Sequence, residues 1–341
     1  MKAVRLEDGA IRIREVDPPV PGQDQALVRI TAAGVCHSDL HLARSDWEGI
    51  QTHTIGHEAI GVVEALGPGA DRFVNVGDRV ILGLGGMGGG YWCGACEFCL
   101  SGRPRFCRLT KGILGTFAEL FAVYAPSLVT LPDSISDDEA PLACGGLTAY
   151  GAVKKLQKHQ VQPGRPIAVI GAAGGLGHYA VQLATAFGYE VVGVDVGAER
   201  LDFVKSLGAR LAVDAGDALD VIRQEFGGVD ASLVFAARLS GFDLGFKALR
   251  PSGVFIAVGL PPTSDGSFSI TPWELIGKDA VIASSAVGTV QDMRELIALA
   301  SAGRVRSHIS RRAKLSELES VFDDLQAGRY VGRAVLTDLA N

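Results

Sequence analysis

Four cysteines lie within fifteen residues, in the pattern Cys93-x2-Cys96-x2-Cys99-x7-Cys107. Four thiolates at this spacing can close a tetrahedral zinc site. An iron–sulfur cluster is the alternative, but its common bacterial motif has three residues before the fourth cysteine and a proline after it. Here the gap is seven residues and Arg108 follows. Because every ligand is a cysteine, no position is left for water or substrate, and the motif predicts a structural zinc site.

The two other cysteines are Cys36 and Cys144, and a Gly-His-Glu segment places His57 and Glu58 between them in the sequence. Two thiolates and one imidazole with an open fourth position form a recognised type of catalytic zinc site. Spacing alone does not prove that residues so far apart converge. Packed or solvated side chains are therefore the alternative interpretation of these residues.

A third motif, Gly171-Ala-Ala-Gly174-Gly175-Leu176-Gly177, joins a predicted strand at 167–170 to a helix that begins near His178. Glycines there allow a tight turn and let a pyrophosphate approach the amides at the helix N-terminus. Asp195 ends the next predicted strand 24 residues after Gly171, near the offset of about 20 expected for an acid that binds ribose. Its carboxylate would repel a 2′-phosphate, which favours NAD over NADP. A structural turn with a surface aspartate is the alternative.

The elements that must position these residues change character along the chain. Up to about Pro141, short β-type segments are broken by Gly, Pro and Asp, as in a many-stranded antiparallel or barrel-like region. From Pro163 onward, apolar strands alternate with helical stretches, as in a parallel sheet covered on both faces. Six strands are predicted there, which fits a doubly wound sheet. They span residues 167–170, 190–194, 211–213, 231–235, 254–258 and 280–283.

Composition excludes several other classes of protein. The chain has 341 residues, of which 48% are hydrophobic and 21% charged, so it can bury a substantial core. A net charge of −6 disfavours nucleic-acid binding. No apolar run reaches the 18 or so residues of a membrane span, and the first sixteen residues hold no signal-peptide core. These features predict a cytoplasmic protein with reduced thiols.

The chain resembles the zinc-dependent alcohol dehydrogenase family of the medium-chain dehydrogenase/reductase superfamily over essentially its whole length. The segments that carry the resemblance are GVCHSDLH, GHEAIGVVEALG, CGACEFCLSG, ACGGLTAYGAV, GAAGGLGHYAVQLA with Asp195, and VGRAVL. It implies an α/β fold with a Rossmann doubly wound, parallel six-stranded sheet and a GroES-like β-rich catalytic domain. The expected boundaries are 1–145 with 286–341 for the catalytic domain and 146–285 for the NAD-binding domain.

The resemblance also implies a role for individual residues. Cys36, His57 and Cys144 would bind a catalytic zinc, Glu58 would approach it during ligand exchange, and Asp39 would orient His57. Ser38 and His41 would relay the proton of the alcohol outward, through the cofactor ribose. Contacts with NAD are implied for the glycine loop and Asp195 and for His37, Thr148, Arg200, Val258, Leu260 and Arg333.

The implied reaction is reversible oxidation of an alcohol to an aldehyde or ketone by hydride transfer to NAD, with two zinc ions per chain. A zinc-dependent polyol or sugar dehydrogenase of the same superfamily is the alternative, although such enzymes often lack the relay pattern of Ser38 and His41. A more remote alternative is a protein that binds zinc and nucleotide without catalysis. Such a protein would be expected to have lost Cys36, Ser38, His57 or Cys144, and all four are present. The resemblance further implies a homo-oligomer, either a dimer or a tetramer.

Overall fold

The computed structural model describes residues 1–84 and 90–341. The chain divides into two units. Unit 1 comprises Met1–Leu147 together with Val287–Asn341, and unit 2 comprises Thr148–Ala286.

The described residues form strands and helices that we number in chain order. The strands are β1 (Lys2–Glu7), β2 (Ala10–Glu15), β3 (Gln25–Val35), β4 (Ala59–Leu66), β5 (Arg79–Leu82), β6 (Leu120–Tyr124), β7 (Val129–Thr130), β8 (Pro166–Ile170), β9 (Glu190–Asp195), β10 (Leu211–Asp214), β11 (Val229–Val234), β12 (Leu249–Ala257), β13 (Val281–Ser284), β14 (Ile309–Lys314) and β15 (Arg333–Asp338). The α-helices are α1 (His37–Arg44), α2 (Glu97–Leu100), α3 (Gly145–Lys158), α4 (Gly177–Ala186), α5 (Ala198–Ser206), α6 (Ala218–Phe226), α7 (Leu239–Ala248), α8 (Pro272–Lys278), α9 (Val290–Ser301) and α10 (Leu318–Gln326).

Unit 2 contains a six-stranded sheet in the order β10-β9-β8-β11-β12-β13, and every pairing in it is parallel. This is the doubly wound order, in which the chain starts at the centre and winds outward in both directions. The central strand β11 is buried along its whole length, as expected where helices cover both faces of a parallel sheet. The predicted fold class is thereby confirmed.

Unit 1 is built around a seven-stranded sheet in which β3 is the longest strand. The path runs β14-β15-β3-β4-β5-β7, and β6 pairs with β3. Strands from distant parts of the chain therefore lie side by side, since β15 pairs with β3 between Ala334 and Val35. The core of this sheet includes the fully buried Ile55, Phe117 and Leu336.

Two elements of unit 1 were not predicted from the sequence. The segment Arg311–Lys314 forms most of the edge strand β14, in which only Ala313 is buried. Strands β1 and β2 form a hairpin, although its Asp8-Gly9 turn carries the usual sequence signal for two residues at positive φ. In both cases polar side chains on an exposed face obscured the strand pattern.

No α-helix in the two described ranges combines the length and the apolar character that crossing a membrane would require.

Candidate functional site

The carboxylate of Asp39 connects two segments of unit 1 that are separated in sequence. It lies in the first turn of α1 and is completely buried. Its Oδ2 accepts a hydrogen bond from the Cys36 backbone amide at 3.1 Å, and its Oδ1 accepts one from the Gly56 amide at 2.8 Å. The same Oδ1 lies 2.9 Å from His57 Nδ1. Because a carboxylate only accepts hydrogen bonds, His57 carries its proton on Nδ1 and presents Nε2 to the site.

Four side chains converge at this point, and all four are buried. The ligand atoms of Cys36, His57, Glu58 and Cys144 lie within 4.8 Å of one another. Sequence spacing could not establish this convergence. Thiolate sulfur and imidazole nitrogen are ligands that zinc prefers, so the donor set fits a zinc ion.

Electrostatics in the site favour one thiolate over the other. A hydrogen bond from Cys144 lowers the pKa of Cys36 well below its usual range, with help from His57 and Arg333. The same bond, together with burial, raises the pKa of Cys144. Burial opposes the charged form of His57, but the Asp39 carboxylate outweighs it and raises the histidine pKa. A metal ion that binds here would therefore displace the proton of Cys144.

Glu58 forms a buried ion pair with Arg333, whose guanidinium also donates to the Val35 carbonyl at 3.1 Å. Burial raises the pKa of Glu58 to about 7, although Arg333 opposes the rise. There is room for this carboxylate because Gly34 has no side chain, and a Cβ at that position would collide with Glu58 Oε2. The structure thus places Arg333 on Glu58. The contact of Arg333 with the cofactor pyrophosphate stays a prediction.

Ser38 and His41 lie three residues apart on α1, so they share one face of the helix. Ser38 is half-buried and His41 is 8% exposed, whereas His37 at the start of the helix is exposed. His41 Nδ1 lies 2.7 Å from Asp46 Oδ2. Sequence analysis did not identify Asp46, because residues five apart are not neighbours on a continuous helix.

The four-cysteine loop has the geometry of a tetrahedral metal site. The Sγ atoms lie 3.9 Å apart for Cys93 and Cys99, 3.5 Å for Cys96 and Cys99, and 3.6 Å for Cys93 and Cys107. Zinc–sulfur bonds of about 2.3 Å in a tetrahedron put the sulfurs about 3.8 Å apart, whereas a disulfide needs about 2.05 Å. Backbone amides of Ala95 and Cys96 lower the pKa of Cys93 to about 6, which favours a thiolate ligand.

The glycine loop of unit 2 forms the predicted strand, turn and helix. Gly171 has φ +81°, and its amide donates to the Val194 carbonyl at 2.9 Å. A Cβ on Gly177 would collide with the Gly171 carbonyl oxygen, so helix α4 can begin at this point only without a side chain. Asp195 Oδ2 accepts from the Ala173 amide at 2.8 Å, which ties the acid to the loop.

The other predicted cofactor contacts are distributed over unit 2. Arg200 Nη1 lies 3.4 Å from Asp195 Oδ1. The Val258 amide donates to the Val234 carbonyl at 3.1 Å, and Leu260, in the irregular segment after β12, is 53% exposed. Thr148 is 6% exposed. Gly174, Gly175 and Leu176 lie in the turn before α4, where helix amides are available to an anion.

Comparison with known proteins finds alcohol dehydrogenases by family model, by sequence and by structure. Residues 22–133 match the family described as "Alcohol dehydrogenase GroES-like domain", and residues 175–302 match "Zinc-binding dehydrogenase". An alcohol dehydrogenase of Geobacillus stearothermophilus is 37% identical, over 98% of this chain and 99% of the relative. One of Moraxella sp. (strain TAE123) is 34% identical over the same shares. The crystal structure of the alcohol dehydrogenase from the archaeon Aeropyrum pernix has a TM-score of 0.89 and 34% identity, with 99% of this chain and 100% of that chain covered.

Asp39→Asn tests the carboxylate that orients His57. An amide offers one acceptor oxygen where Asp39 serves three donors, so at least one buried amide or the His57 Nδ1–H loses its partner. We expect zinc affinity at this site to fall by about 10–100-fold, the usual effect of losing the partner of a metal-binding histidine. Competition with a zinc chelator, followed by metal analysis, measures the change.

Asp71→Asn, at an exposed position of the same unit, is the matched control and should retain wild-type affinity. Equal zinc retention in Asp39→Asn and wild type would contradict the orienting role.

Cys96→Ser tests the four-cysteine loop. Removing one of four thiolates should lower the zinc content from about two to about one ion per chain. The melting temperature should fall because the loop loses its cross-link. Glu97→Gln changes an exposed neighbour without removing a sulfur and should leave both values unchanged. A zinc content that stays at about two in Cys96→Ser would rule out the loop as a four-thiolate site.

Proposed function

Since the chain belongs to the zinc-dependent alcohol dehydrogenase family of the medium-chain dehydrogenase/reductase superfamily, we propose that Cys36, His57 and Cys144 bind its catalytic zinc. The protein is an NAD-dependent enzyme that interconverts an alcohol and an aldehyde or ketone, with zinc and NAD as cofactors. Cys93, Cys96, Cys99 and Cys107 bind the second, structural zinc in this proposal.

One observation supports the catalytic assignment above all others. The Asp39 carboxylate contacts both the Cys36 backbone and the His57 ring, so one buried group orients two of the three ligands. A purely structural cluster of buried polar residues would not need a histidine with its Nδ1 proton fixed and its Nε2 directed to two cysteines. Three protein ligands would leave a zinc ion with a fourth position for the substrate oxygen.

In this proposal, side chains of the protein transfer the proton, and the cofactors supply the Lewis acid and the hydride acceptor. Bound zinc supplies a Lewis acid that lowers the pKa of the substrate hydroxyl, and NAD supplies the hydride acceptor. Ser38 Oγ holds the proton that leaves the alcohol, and His41 Nε2 receives it and releases it to water. In the reverse direction the same two atoms return a proton to the carbonyl oxygen. Glu58, held by Arg333, is the nearby carboxylate that can approach the metal during ligand exchange.

Asp195 carries the preference for NAD over NADP in this proposal. Each of its oxygens already accepts one backbone amide, from Ala173 and Val196, which fixes the carboxylate at the end of β9. The remaining lone pairs can accept hydrogen bonds from ribose hydroxyls, whereas a 2′-phosphate would bring a second negative charge against the carboxylate.

Initial rates of NAD reduction with ethanol, 2-propanol, benzyl alcohol and a polyol, for wild type beside Cys36→Ala, test the function. We expect wild type to oxidise at least one class of alcohol and Cys36→Ala to be inactive on all of them, since it lacks a zinc ligand. Ser101→Ala, a small exposed change in the same unit, is expected to keep wild-type activity. If the zinc-loaded wild type binds NAD but oxidises none of these alcohols, simple alcohols are not its substrates.

The exposed edge of the six-stranded sheet supports an oligomer. Strand β13 is last in the strand order, and its Val281 and Ile282 are 41% and 47% exposed. Trp273 and Ile276 of the neighbouring α8 are 85% and 74% exposed. A free, apolar sheet edge invites pairing with another chain. We infer a homo-oligomer, a dimer or tetramer, in which this edge is covered. We also infer a cytoplasmic location, since thiol ligands persist in a reducing compartment.

Val281→Lys tests this edge, because a lysine at an edge strand opposes pairing with a second strand. Light scattering coupled to size exclusion should show wild type as a dimer or tetramer and Val281→Lys as a smaller species. Val76→Lys, at an exposed valine of unit 1, should retain the wild-type mass. A monomeric wild type would contradict the proposed oligomer, and an unchanged mass in Val281→Lys would exclude this edge.

A further inference from the structure

We propose that Asp46 is a positioning residue for His41, and that its carboxylate fixes the histidine tautomer in which Nε2 accepts the outgoing proton. The proposal rests on the relay function of His41 proposed above. It concerns a residue that neither the sequence motifs nor the predicted ligand sets include.

The geometry of the pair sets the tautomer. Asp46 Oδ2 lies 2.7 Å from His41 Nδ1, and a carboxylate can only accept in such a bond. Nδ1 therefore carries the hydrogen in the neutral ring, and Nε2 keeps its lone pair. The pair is partly shielded from water, since the side chains are 11% and 31% exposed.

The backbone at the end of α1 brings Asp46 to His41. Ser45 adopts the left-handed conformation with φ +58°, which ends the helix. The Asp46 amide then donates to the His41 carbonyl at 3.0 Å, and the Ser45 amide donates to Leu42 at 3.3 Å. This turn folds the chain back over the helix, so that a residue five positions later comes beside the ring. A serine in a conformation that favours glycine indicates that the turn is held by its surroundings.

The second ring nitrogen of His41, Nε2, is buried but not engaged by the described part of the chain. Nε2 is buried and has no hydrogen-bond partner within residues 1–84 and 90–341. The Trp47 ring lies 5.1 Å from the His41 ring and covers part of it. A buried nitrogen that is aimed by a partner on one side and unpaired on the other is well placed to exchange protons.

The proton balance of the step is simple. His41 Nε2 gains one proton from the relay, and the ring becomes positively charged while the Asp46 carboxylate stays ionised beside Nδ1–H. Nε2 then loses that proton to water or buffer, and the ring returns to the starting tautomer. Asp46 contributes by keeping Nε2 as the accepting atom and by opposing the positive charge at the moment it forms.

Asp46→Asn is the sharpest variant because its amide group can donate to Nδ1, which would place the ring hydrogen on Nε2 and block acceptance there. We expect kcat for alcohol oxidation to fall by about 10–100-fold, by analogy with the loss of the hydrogen-bond partner of a metal-binding histidine. KM for the alcohol, zinc content and melting temperature should stay close to wild type. A small tertiary amine such as N-methylmorpholine should restore part of kcat by accepting the proton directly. Glu48→Gln removes a nearby exposed carboxylate and is the matched control.

Three further measurements decide between the outcomes. Asp46→Glu retains a carboxylate and should recover part of kcat. His41→Gln should lose kcat by itself, and His41→Gln/Asp46→Asn should be no slower than His41→Gln, because Asp46 acts only through the ring. If His41→Gln is slow and Asp46→Asn is as fast as wild type, the positioning role is wrong while the relay stands. A contrasting result is that Asp46→Asn lowers kcat by the same factor in the His41→Gln background as in wild type, with no rescue by the amine. That result would show that Asp46 has a structural role and does not act through His41. A fully active His41→Gln would overturn the relay and the positioning role together.

Discussion

The candidate zinc site of unit 1 depends on the three hydrogen bonds of the Asp39 carboxylate. They join the beginning of α1, through the Cys36 amide, to the segment before β4, through the Gly56 amide and the His57 ring. An ionised side chain without solvent exposure is stable only when such partners satisfy it. Since α1 also carries Ser38 and His41, the same contact that orients His57 determines where these two residues lie relative to Cys36. One carboxylate therefore both orients the His57 ring and caps the N-terminus of α1.

Charge is balanced locally around this contact. Arg333 offsets the charge of Glu58, and the hydrogen bond between Cys36 and Cys144 lowers the pKa of Cys36 and raises that of Cys144. Binding of a divalent cation would displace the proton of Cys144, and the donor set of the site fits a zinc ion. The four-cysteine loop differs in that backbone amides, rather than buried ions, stabilise its Cys93 thiolate.

The features that could be predicted from the sequence are those encoded by neighbouring residues. The six strands of unit 2, the glycine turn and the four-cysteine loop depend on local periodicity and spacing, and the structure has each of them. The ion pair of Glu58 with Arg333 joins residues 275 positions apart, and a local sequence pattern cannot predict such a contact. The contact of Asp46 with His41 requires Ser45 to adopt the left-handed conformation. Glycine or asparagine usually marks that conformation in a sequence, so a serine gives no indication of it. Strand β14 could not be predicted because charged side chains lie on both of its faces, so no alternation of apolar and polar residues marks it as a strand.

The split of unit 1 over two distant segments has a consequence for biosynthesis. Glu58 leaves the ribosome 275 residues before Arg333, an interval of roughly 14–55 s at about 5–20 residues per second. During that time Arg333 is not available to its carboxylate, and the Ala33–Val35 end of β3 lacks the partner that β15 later provides. The intervening unit 2 is continuous and can complete its sheet first. The nascent chain can therefore complete unit 2 before unit 1, because the sheet of unit 1 and the pair of Glu58 with Arg333 form only when β15 has emerged.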